Sequence, residues 1–148
     1  MMINITVRKL EEEYADAAYN VEQICLKEAW SREAIFELID RKNAIYLVAV
    51  YDNTVCGIAG MYIVADEGQI NNVAVLPEYR KQGIGKIIFD ELLLEGKKKD
   101  VKLFTLEVAA SNSAAIKLYS NCGFDVVGRR KGFYKNDDAL IMDFRIDN

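Results

Sequence analysis

The chain has 148 residues, of which 51% are hydrophobic and 28% charged, a composition typical of one soluble globular domain with a real core. Its formal net charge of −4 argues against a general nucleic-acid binder, because no overall basic field would attract phosphate backbones. The sequence contains no histidine, which excludes Ser-His-Asp and Cys-His catalysis and the usual imidazole metal sites. We therefore expect no bound metal, and a general base drawn from Glu, Asp, Tyr, Cys, Lys or a water chain.

Cysteine usage and hydropathy indicate the compartment. The three cysteines are odd in number, far apart and in no Cys-x-x-Cys pair: Cys25, Cys56 and Cys122. This pattern argues against a disulfide framework or a zinc site and is typical of a reducing cytoplasm. The N-terminal residues lack the pattern of a signal peptide, and no apolar run approaches the roughly 20 residues of a membrane span. We expect a cytoplasmic protein that binds neither membranes nor nucleic acid.

The N-terminal part of the chain is predicted to form a strand followed by two helices. Apolar and polar residues alternate over 2–8, which predicts a first strand. Over 10–25 the apolar residues recur every three or four positions, which predicts an amphipathic helix. Ser31 is expected to cap a second, short helix that runs to Asp40.

Three consecutive antiparallel strands are predicted next, because β-type runs alternate with turn residues. The runs lie at 44–51, 55–65 and 69–75, and the turns at 52–53 and 66–68.

A strand, a helix and another strand follow one another in the middle of the chain. The helix begins at Ile84, and Gly96 is predicted to end it. A further strand is predicted over 101–108. A crossover of this length makes a βαβ unit, so the strands on either side of the helix should be parallel.

The C-terminal part is predicted to contain a short helix and a hairpin. Ser111 or Asn112 caps the helix, and Gly123 is its left-handed C-cap. The hairpin strands and their long connection are expected at 124–130, 139–146 and 131–138 respectively. We therefore predict a single α/β domain over 1–148, with a mixed, mostly antiparallel sheet around one parallel pair.

The segment 71–86 carries the clearest chemical signal. An apolar strand, a proline turn, a basic loop with two glycines and a helix start follow one another. A helix N-terminus has unpaired amide donors and partial positive charge, and glycines let a ligand approach the backbone. Formal charge is added by Arg80, Lys81 and Lys86. These features predict a phosphate or pyrophosphate cradle, although an ordinary strand-to-helix turn has a similar composition.

Two better-known phosphate loops are excluded. No Gly-Lys-Ser/Thr follows four residues after a first glycine, so the segment is not a Walker loop. It also has only Gly83 and Gly85, which is too few for the Rossmann fingerprint.

The loop instead resembles that of a known enzyme family. It reads Arg80-Lys81-Gln82-Gly83-Ile84-Gly85, which resembles the acetyl-CoA pyrophosphate loop, Arg/Gln-x-x-Gly-x-Gly/Ala, of the GCN5-related N-acetyltransferases. The segment 106–119 with Gly123-Phe124 is similar to the second cofactor segment of the branch that acetylates ribosomal-protein N-termini. Further segments fit this branch: Ala29-Trp30-Ser31, Arg129-Arg130 and Ala139-Leu140-Ile141-Met142. The branch usually has Pro where this chain has Ala29.

The resemblance implies roles for individual residues. The parallel strands should splay apart to hold CoA. The acetyl and pantetheine groups should lie on the backbone of Val73, Ala74 and Val75, and the pyrophosphate on Lys81, Gln82, Gly83, Ile84, Gly85 and Lys86. Asn112 should contact the cofactor. Glu107 should be the general base and Tyr119 the general acid. Apart from the resemblance, Trp30 is either a lining residue of the acceptor cleft or a core residue, and Tyr134 is expected to shape the acceptor pocket.

The residues themselves leave alternatives open. Glu107 lies mid-strand on the face of Leu103 and Thr105, where it is either a base or a solvated strand residue. Tyr119 lies on the apolar side of its helix and is either an acid or a core tyrosine. Cys122 is a poor nucleophile, because no histidine activates it and a helix C-terminus disfavours a thiolate.

We expect acetyl transfer from acetyl-CoA to an amine by direct attack. The expected acceptor is a protein N-terminal α-amine, by resemblance that of a ribosomal protein. An α-amine has an ordinary pKa near ~8, so it loses its proton more easily than lysine. One alternative is an acetyltransferase for a small amine or a lysine side chain. Another is a non-catalytic acyl-CoA-binding module. The expected oligomeric state is a monomer or weak dimer.

Overall fold

Seven strands form one mixed sheet in the computed structural model, which describes residues 4–146. The elements in chain order are β1 (Thr6–Lys9), α1 (Glu12–Cys25), α2 (Arg32–Leu38), β2 (Ala44–Tyr51), β3 (Thr54–Val64), β4 (Glu67–Val75), a 3₁₀ turn (Pro77–Tyr79), α3 (Ile84–Lys98), β5 (Leu103–Ala109), α4 (Ser113–Asn121), β6 (Asp125–Tyr134) and β7 (Asp137–Arg145). Met2 and Ile3, predicted to start the first strand, lie outside the described residues. No helix within 4–146 is both long and apolar enough to cross a bilayer.

The strand order is β1-β2-β3-β4-β5-β7-β6, and β4–β5 is the parallel pair. Helix α3 connects these two strands, so the predicted βαβ unit and the mixed, mostly antiparallel sheet are confirmed.

The two parallel strands separate part-way along their length. Their pairing runs from Glu67 with Leu103 to Ile70 with Leu106, although β4 continues to Val75. The register of β4 against β3 shifts between Ile70 and Asn72, which leaves Asn71 as a bulge. A bulge bends its strand and increases its twist, which accounts for the separation. We call the space beyond the Ile70–Leu106 pair the gap.

Helices cover the sheet on both faces. On one face, called the α3 face, α3 packs against β2, β3 and β4, and the buried cluster there includes Ile88, Phe89, Phe104 and Met142. On the other, called the α1 face, residues of α1 and α2 pack against β2 and β3, among them Val21, Ile35, Val48 and Ile58. Burying each such side chain contributes about 1.5–3 kcal/mol, so the two apolar layers hold both the gap and its flanking helices in place.

Gly96 does not end α3, contrary to the prediction. The helix continues to Lys98, and the left-handed residue comes later, at Asp100. A Cβ on Gly96 would stand 2.6 Å from Cε1 of Phe104 and 3.0 Å from Cε of Met61. Glycine is therefore needed here for the close approach of helix and sheet.

Two turns also differ from their predicted positions. The long connection expected over 131–138 is wrong, because β6 extends to Tyr134 and β7 begins at Asp137. The register shifts between Arg130 and Tyr134, and this irregularity disrupts the alternation that marks a strand. The turn expected over 66–68 is shorter, because β4 already begins at Glu67.

Three other predicted caps are confirmed. The Ser31 hydroxyl accepts from Ala34 N at 3.1 Å, and the Asn112 side chain accepts from Ala115 N at 3.2 Å. Gly123 has a φ of +103°, as expected for a left-handed C-cap.

Candidate active site

The gap edge of β4 presents unpaired backbone groups. Leu76 N donates to Cys56 O at 2.8 Å, which fixes the alternation along the strand. Ala74 and Leu76 therefore direct their polar groups towards β3, and Val73 and Val75 direct theirs into the gap. The amides of these two valines have no acceptor among the described residues. This edge can accept an extended, amide-containing ligand as an added strand.

The loop before α3 presents a second row of amides. Within residues 4–146, no acceptor faces the N–H groups from Lys81 to Lys86. The first amide of this region with a partner is that of Ile87, which donates to Gly83 O at 3.1 Å. Gly83 is the N-cap, has a φ of +82° and provides no side-chain cap. The six donors and the helix dipole together favour an anion, which agrees with the predicted pyrophosphate cradle.

Two of the three loop cations are already engaged by the protein. Arg80 Nε donates to Val75 O at 2.9 Å, so this guanidinium fastens the loop to the end of β4. Lys86 Nζ lies 2.6 Å from Asp90 Oδ2, and this hydrogen bond raises the pKa of Lys86. The amides of the loop therefore carry more of its anion-binding capacity than the sequence indicated.

Glu107 stands at the mouth of the gap. It is the first residue of β5 beyond the Ile70–Leu106 pair, and its side chain is 31% exposed. Its neighbours Leu106 and Val108 are buried on the α3 face, so its carboxylate lies on the α1 face, as the alternation predicted. Oε1 lies 3.1 Å from Arg130 Nη2. The carboxylate is thus partly solvated and partly paired.

Tyr119 lies on the α3 face, on the opposite side of the sheet from Glu107. It is 9% exposed, and its ring packs against Phe89 with centroids 5.0 Å apart, within the core of the α3 face. The Tyr119 hydroxyl has no hydrogen-bond partner among residues 4–146, and it keeps some contact with solvent. Among the described residues, the one fully buried side-chain oxygen or nitrogen without a partner is Asp143 Oδ1. Burial raises the pKa of Tyr119 to about 12. Tyr119 is therefore a core tyrosine whose neutral hydroxyl is available for hydrogen bonding.

Trp30 lies in the loop between α1 and α2. Its ring centroid is 5.5 Å from that of Tyr62 and 6.2 Å from that of Tyr46. This aromatic group covers the sheet on the α1 face, which is also the face of Glu107.

Tyr134 lies at the end of β6 rather than on a long loop. Burial, followed by the negative charges of Glu107, Glu28 and Asp137, raises the pKa of Tyr134. The hairpin end, the mouth of the gap and the α1–α2 loop are therefore close enough to interact electrostatically. An amine bound here would lie near these three carboxylates.

Only the oxygen of the Asn112 side-chain amide has a hydrogen-bond partner within residues 4–146. Its Oδ1 caps α4, and its amide nitrogen has no partner within 4–146. Ser111 donates both its amide and its hydroxyl to the Asp137 carboxylate, and these bonds lower the pKa of Asp137. The start of α4 is therefore tied to the β6–β7 hairpin.

Cys122 fits a nucleophile poorly. Its Sγ lies 3.7 Å from Asp90 Oδ1, and burial, followed by the charge of Asp90, raises the pKa of the Cys122 thiol. Both effects disfavour the thiolate that a nucleophile requires.

Comparison with known proteins identifies the family. Residues 12–124 match the model of the acetyltransferase (GNAT) family, which spans well over half of the chain. The chain belongs to the acetyltransferase (GNAT) family. A GNAT relative in Bacillus subtilis (strain 168), provisionally named a ribosomal protein bS18-alanine N-acetyltransferase, is 36% identical over 145 residues, which cover 96% of each chain.

Two further comparisons agree. The ribosomal protein bS18-alanine N-acetyltransferase of Escherichia coli (strain K12) is 33% identical over 141 residues, which cover 93% of this GNAT chain and 95% of the relative. The crystal structure of the ribosomal-protein-S18-alanine N-acetyltransferase from Escherichia coli superposes with a TM-score of 0.88 at 31% identity, covering 98% and 96% of the two chains. The GNAT protein described here is an N-acetyltransferase.

Glu22 is a further buried polar residue that was not among the site residues predicted from the sequence. The Glu22 carboxylate is completely buried. Trp30 N and Asn72 Nδ2 donate to its Oε1 at 2.8 Å and 2.7 Å, and Tyr46 Oη donates to its Oε2 at 2.5 Å. One signal was available in the sequence, since Glu22 interrupts the apolar face of α1 between Val21 and Cys25.

Proposed function

We propose that this enzyme transfers the acetyl group of acetyl-CoA to the N-terminal α-amine of a protein, and that the acceptor is ribosomal protein bS18. The observation that carries the proposal is the gap between β4 and β5. It has unpaired amides of Val73 and Val75 on one edge and the Glu107 carboxylate at its mouth. The relatives named as ribosomal protein bS18-alanine N-acetyltransferases support an alanine of that protein as the acceptor.

The cofactor would be held mainly by backbone groups. The amides from Lys81 to Lys86 would bind the pyrophosphate, and the backbone groups of Val73 would pair with the pantetheine amides. At Val75 only the N–H is available, because Arg80 Nε already donates to its carbonyl. The amide of Val75 would polarise the acetyl carbonyl, because its N–H points into the gap. Ala74 contributes to this stretch of strand, and the free amide nitrogen of Asn112 would contact the cofactor from α4.

The two proton-handling groups would work from opposite faces. An acceptor amine arrives largely as ammonium, and Glu107 would take its proton, directly or through water, as the nitrogen attacks the acetyl carbon. Tyr119 stays neutral at physiological pH, because its pKa of about 12 lies well above that range. Its hydroxyl would donate to the sulfur as the carbon–sulfur bond breaks. Since thiols have pKa values near ~8.5, this donation stabilises the departing thiolate rather than protonating it completely.

The acceptor would lie on the α1 face, between Trp30 and Tyr134. The acidic surroundings of Tyr134 would attract an ammonium group. An α-amine near pKa ~8 loses its proton at lower cost than a lysine near ~10.4. A ribosomal acceptor would place the enzyme in the cytoplasm, which agrees with three unpaired cysteines.

A peptide screen tests this function. Short peptides that differ in their N-terminal residue, including one from the start of ribosomal protein bS18, are mixed with acetyl-CoA, and thiol release and peptide mass are followed. We expect thiol release with a one-acetyl mass gain on the α-amine of the alanine peptide. CoA binding without thiol release for every peptide and amine tested would instead indicate a non-catalytic module. Acetylation of lysine side chains alone would refute the proposed acceptor.

A further inference from the structure

The Glu22 carboxylate joins three parts of the fold. It is fully buried on the α1 face, and each of its three donors comes from a different segment: Trp30 from the α1–α2 loop, Tyr46 from β2 and Asn72 from β4. A buried carboxylate is costly without such donors. Burial and then the charge of Glu22 raise the pKa of Tyr46, so this phenol stays a donor at physiological pH.

The α1–α2 loop depends on this carboxylate. From Lys27 to Trp30, the bond from Trp30 N to Glu22 Oε1 is the one hydrogen bond that the described residues provide. The Trp30 ring lies over Tyr46 and Tyr62 but is only part-buried. Between its ends, where Leu26 and Ser31 bond to the two helices, the position of the loop therefore rests on one hydrogen bond and one aromatic contact surface.

The β4 end of the network lies next to the gap. Asn72 follows the bulge at Asn71 and directly precedes Val73. Unlike the loop, this part of β4 is also held by its antiparallel pairing with β3 through Val75. Loss of the carboxylate should therefore displace the loop while leaving the strand in place.

We propose that Glu22 is a positioning residue that fixes the acceptor-side loop, 26–31, relative to the acetyl-presenting stretch of β4. Its consequence for catalysis rests on the proposed function, in which this loop borders the acceptor. Disrupting the network weakens acceptor binding and spares acetyl-CoA binding, because the groups assigned to the cofactor lie on elements that do not depend on Glu22.

Trp30 makes the loop position measurable without any substrate, because it is the sole tryptophan of the chain. Glu22→Met removes both acceptor oxygens. In this variant we expect the fluorescence emission of Trp30 to shift to the red and its quenching by acrylamide to become about twofold stronger. Glu22→Gln should stay near wild type, because an amide oxygen can accept from Trp30 and Asn72 while its NH₂ group donates to Tyr46. Val48→Ala is the control, since Val48 is equally buried in the same apolar layer but has no part in the network.

The kinetic consequence is measured with a short peptide that has an N-terminal alanine. We expect the peptide KM to rise about tenfold in Glu22→Met, with the acetyl-CoA KM within about twofold of wild type, and recovery in Glu22→Gln. Tyr46→Phe keeps the ring and removes one donor, so it should give a smaller change of the same kind and serves if Glu22→Met does not fold.

The outcomes separate the two proposals. Unchanged Trp30 quenching in both Glu22→Met and Tyr46→Phe, or an equal change in Val48→Ala, would refute the positioning role whether or not the peptide is an acceptor. Altered quenching with no thiol release by the wild type would refute the proposed acceptor and leave the positioning role supported. A parallel rise of both KM values would show that Glu22 organises the whole site rather than the acceptor loop.

Discussion

The carboxylate of Glu107 and the guanidinium of Arg130 form an ion pair of 3.1 Å between β5 and β6 at the mouth of the gap. Their side chains are 31% and 55% exposed, and an ion pair this accessible contributes only about 0–1 kcal/mol. It can therefore orient the carboxylate without preventing a proton transfer. Arg130 was recognised in the sequence only as part of a family motif, and its partner emerged from the fold.

Replacing Glu107 should test its assignment as the general base. We expect Glu107→Gln to lower turnover about 100-fold, because the amide cannot take the proton of the acceptor ammonium. The loss should be greatest at low pH, where the amine is mostly protonated, and smaller above the ordinary α-amine pKa near ~8. Affinity for CoA should stay within about twofold, because the residue lies outside the amide cradle.

Glu67→Gln is a matched control, since Glu67 begins the same parallel ladder at its other end. The turnover of both variants is measured from acidic to alkaline pH, so that the effect at Glu107 can be compared with that at Glu67. Wild-type turnover in Glu107→Gln at low pH would remove Glu107 as the base.

Tyr119→Phe should change both turnover and the alkaline limit of stability. The ring contacts are kept, while loss of the hydroxyl should lower turnover about tenfold or more, because nothing then donates to the leaving sulfur. Because the folded-state pKa of about 12 is raised above the ordinary value of 10.0, the stabilisation due to Tyr119 is complete below pH 10 and is lost as pH rises towards 12.

Denaturant unfolding at a series of alkaline pH values measures that loss. The difference between the Tyr119 pKa values of 10.0 and about 12 corresponds to about 3 kcal/mol of unfolding free energy. The wild type should lose this free energy over that pH range, and Tyr119→Phe should not. Parallel curves for the two proteins would contradict a buried, neutral Tyr119. Equal turnover would assign the acid role to water.

The amide cradle can be tested at Gly83. We expect Gly83→Val to weaken CoA binding about 100-fold or more, because a branched side chain would keep the phosphates from the backbone. Gly132→Val separates this effect from strain. Both glycines have positive φ, +82° and +64°, and both have open space where a Cβ would stand. Each substitution should therefore cost about 1–2 kcal/mol in backbone strain.

Calorimetric titration of CoA into both variants, without an acceptor, provides the comparison. Gly132→Val should bind CoA with nearly wild-type affinity, since Gly132 lies on β6, away from the loop. A similar loss in both variants would point to strain, and wild-type affinity in Gly83→Val would refute the cradle.

Two glycines of α3 should respond in opposite ways to alanine. Gly96→Ala should lower the stability of the folded protein by about 1 kcal/mol net. Overpacking against Phe104 costs about 1–3 kcal/mol, and the better helix propensity of alanine offsets only about 1 kcal/mol of this cost. Gly85→Ala should leave stability unchanged or slightly higher, because its Cβ would be 3.8 Å from Leu118 and 3.9 Å from Val75. Thermal unfolding without CoA measures both, and a higher melting temperature for Gly96→Ala would contradict the close helix–sheet contact.

Local patterns predicted most of the fold because they encode local interactions. The Ser31 and Asn112 caps and the left-handed Gly123 each depend on atoms a few residues apart. The parallel pairing followed from the length of the crossover through α3. Where the alternation was broken, in β6 near Arg130, the prediction of a long connection was wrong.

The family resemblance, the strand–loop–helix order around Gly83 and the face on which Glu107 lies could all be inferred from the amino-acid sequence. The folded arrangement was needed to see that Gly96 is a packing residue, that Arg80 binds the end of β4, and that Glu22 links Trp30 to Asn72. Glu22 and Asn72 are 50 residues apart, and Gly96 meets a side chain of the sheet. Such contacts depend on how separate elements pack together, which no periodicity within one element records.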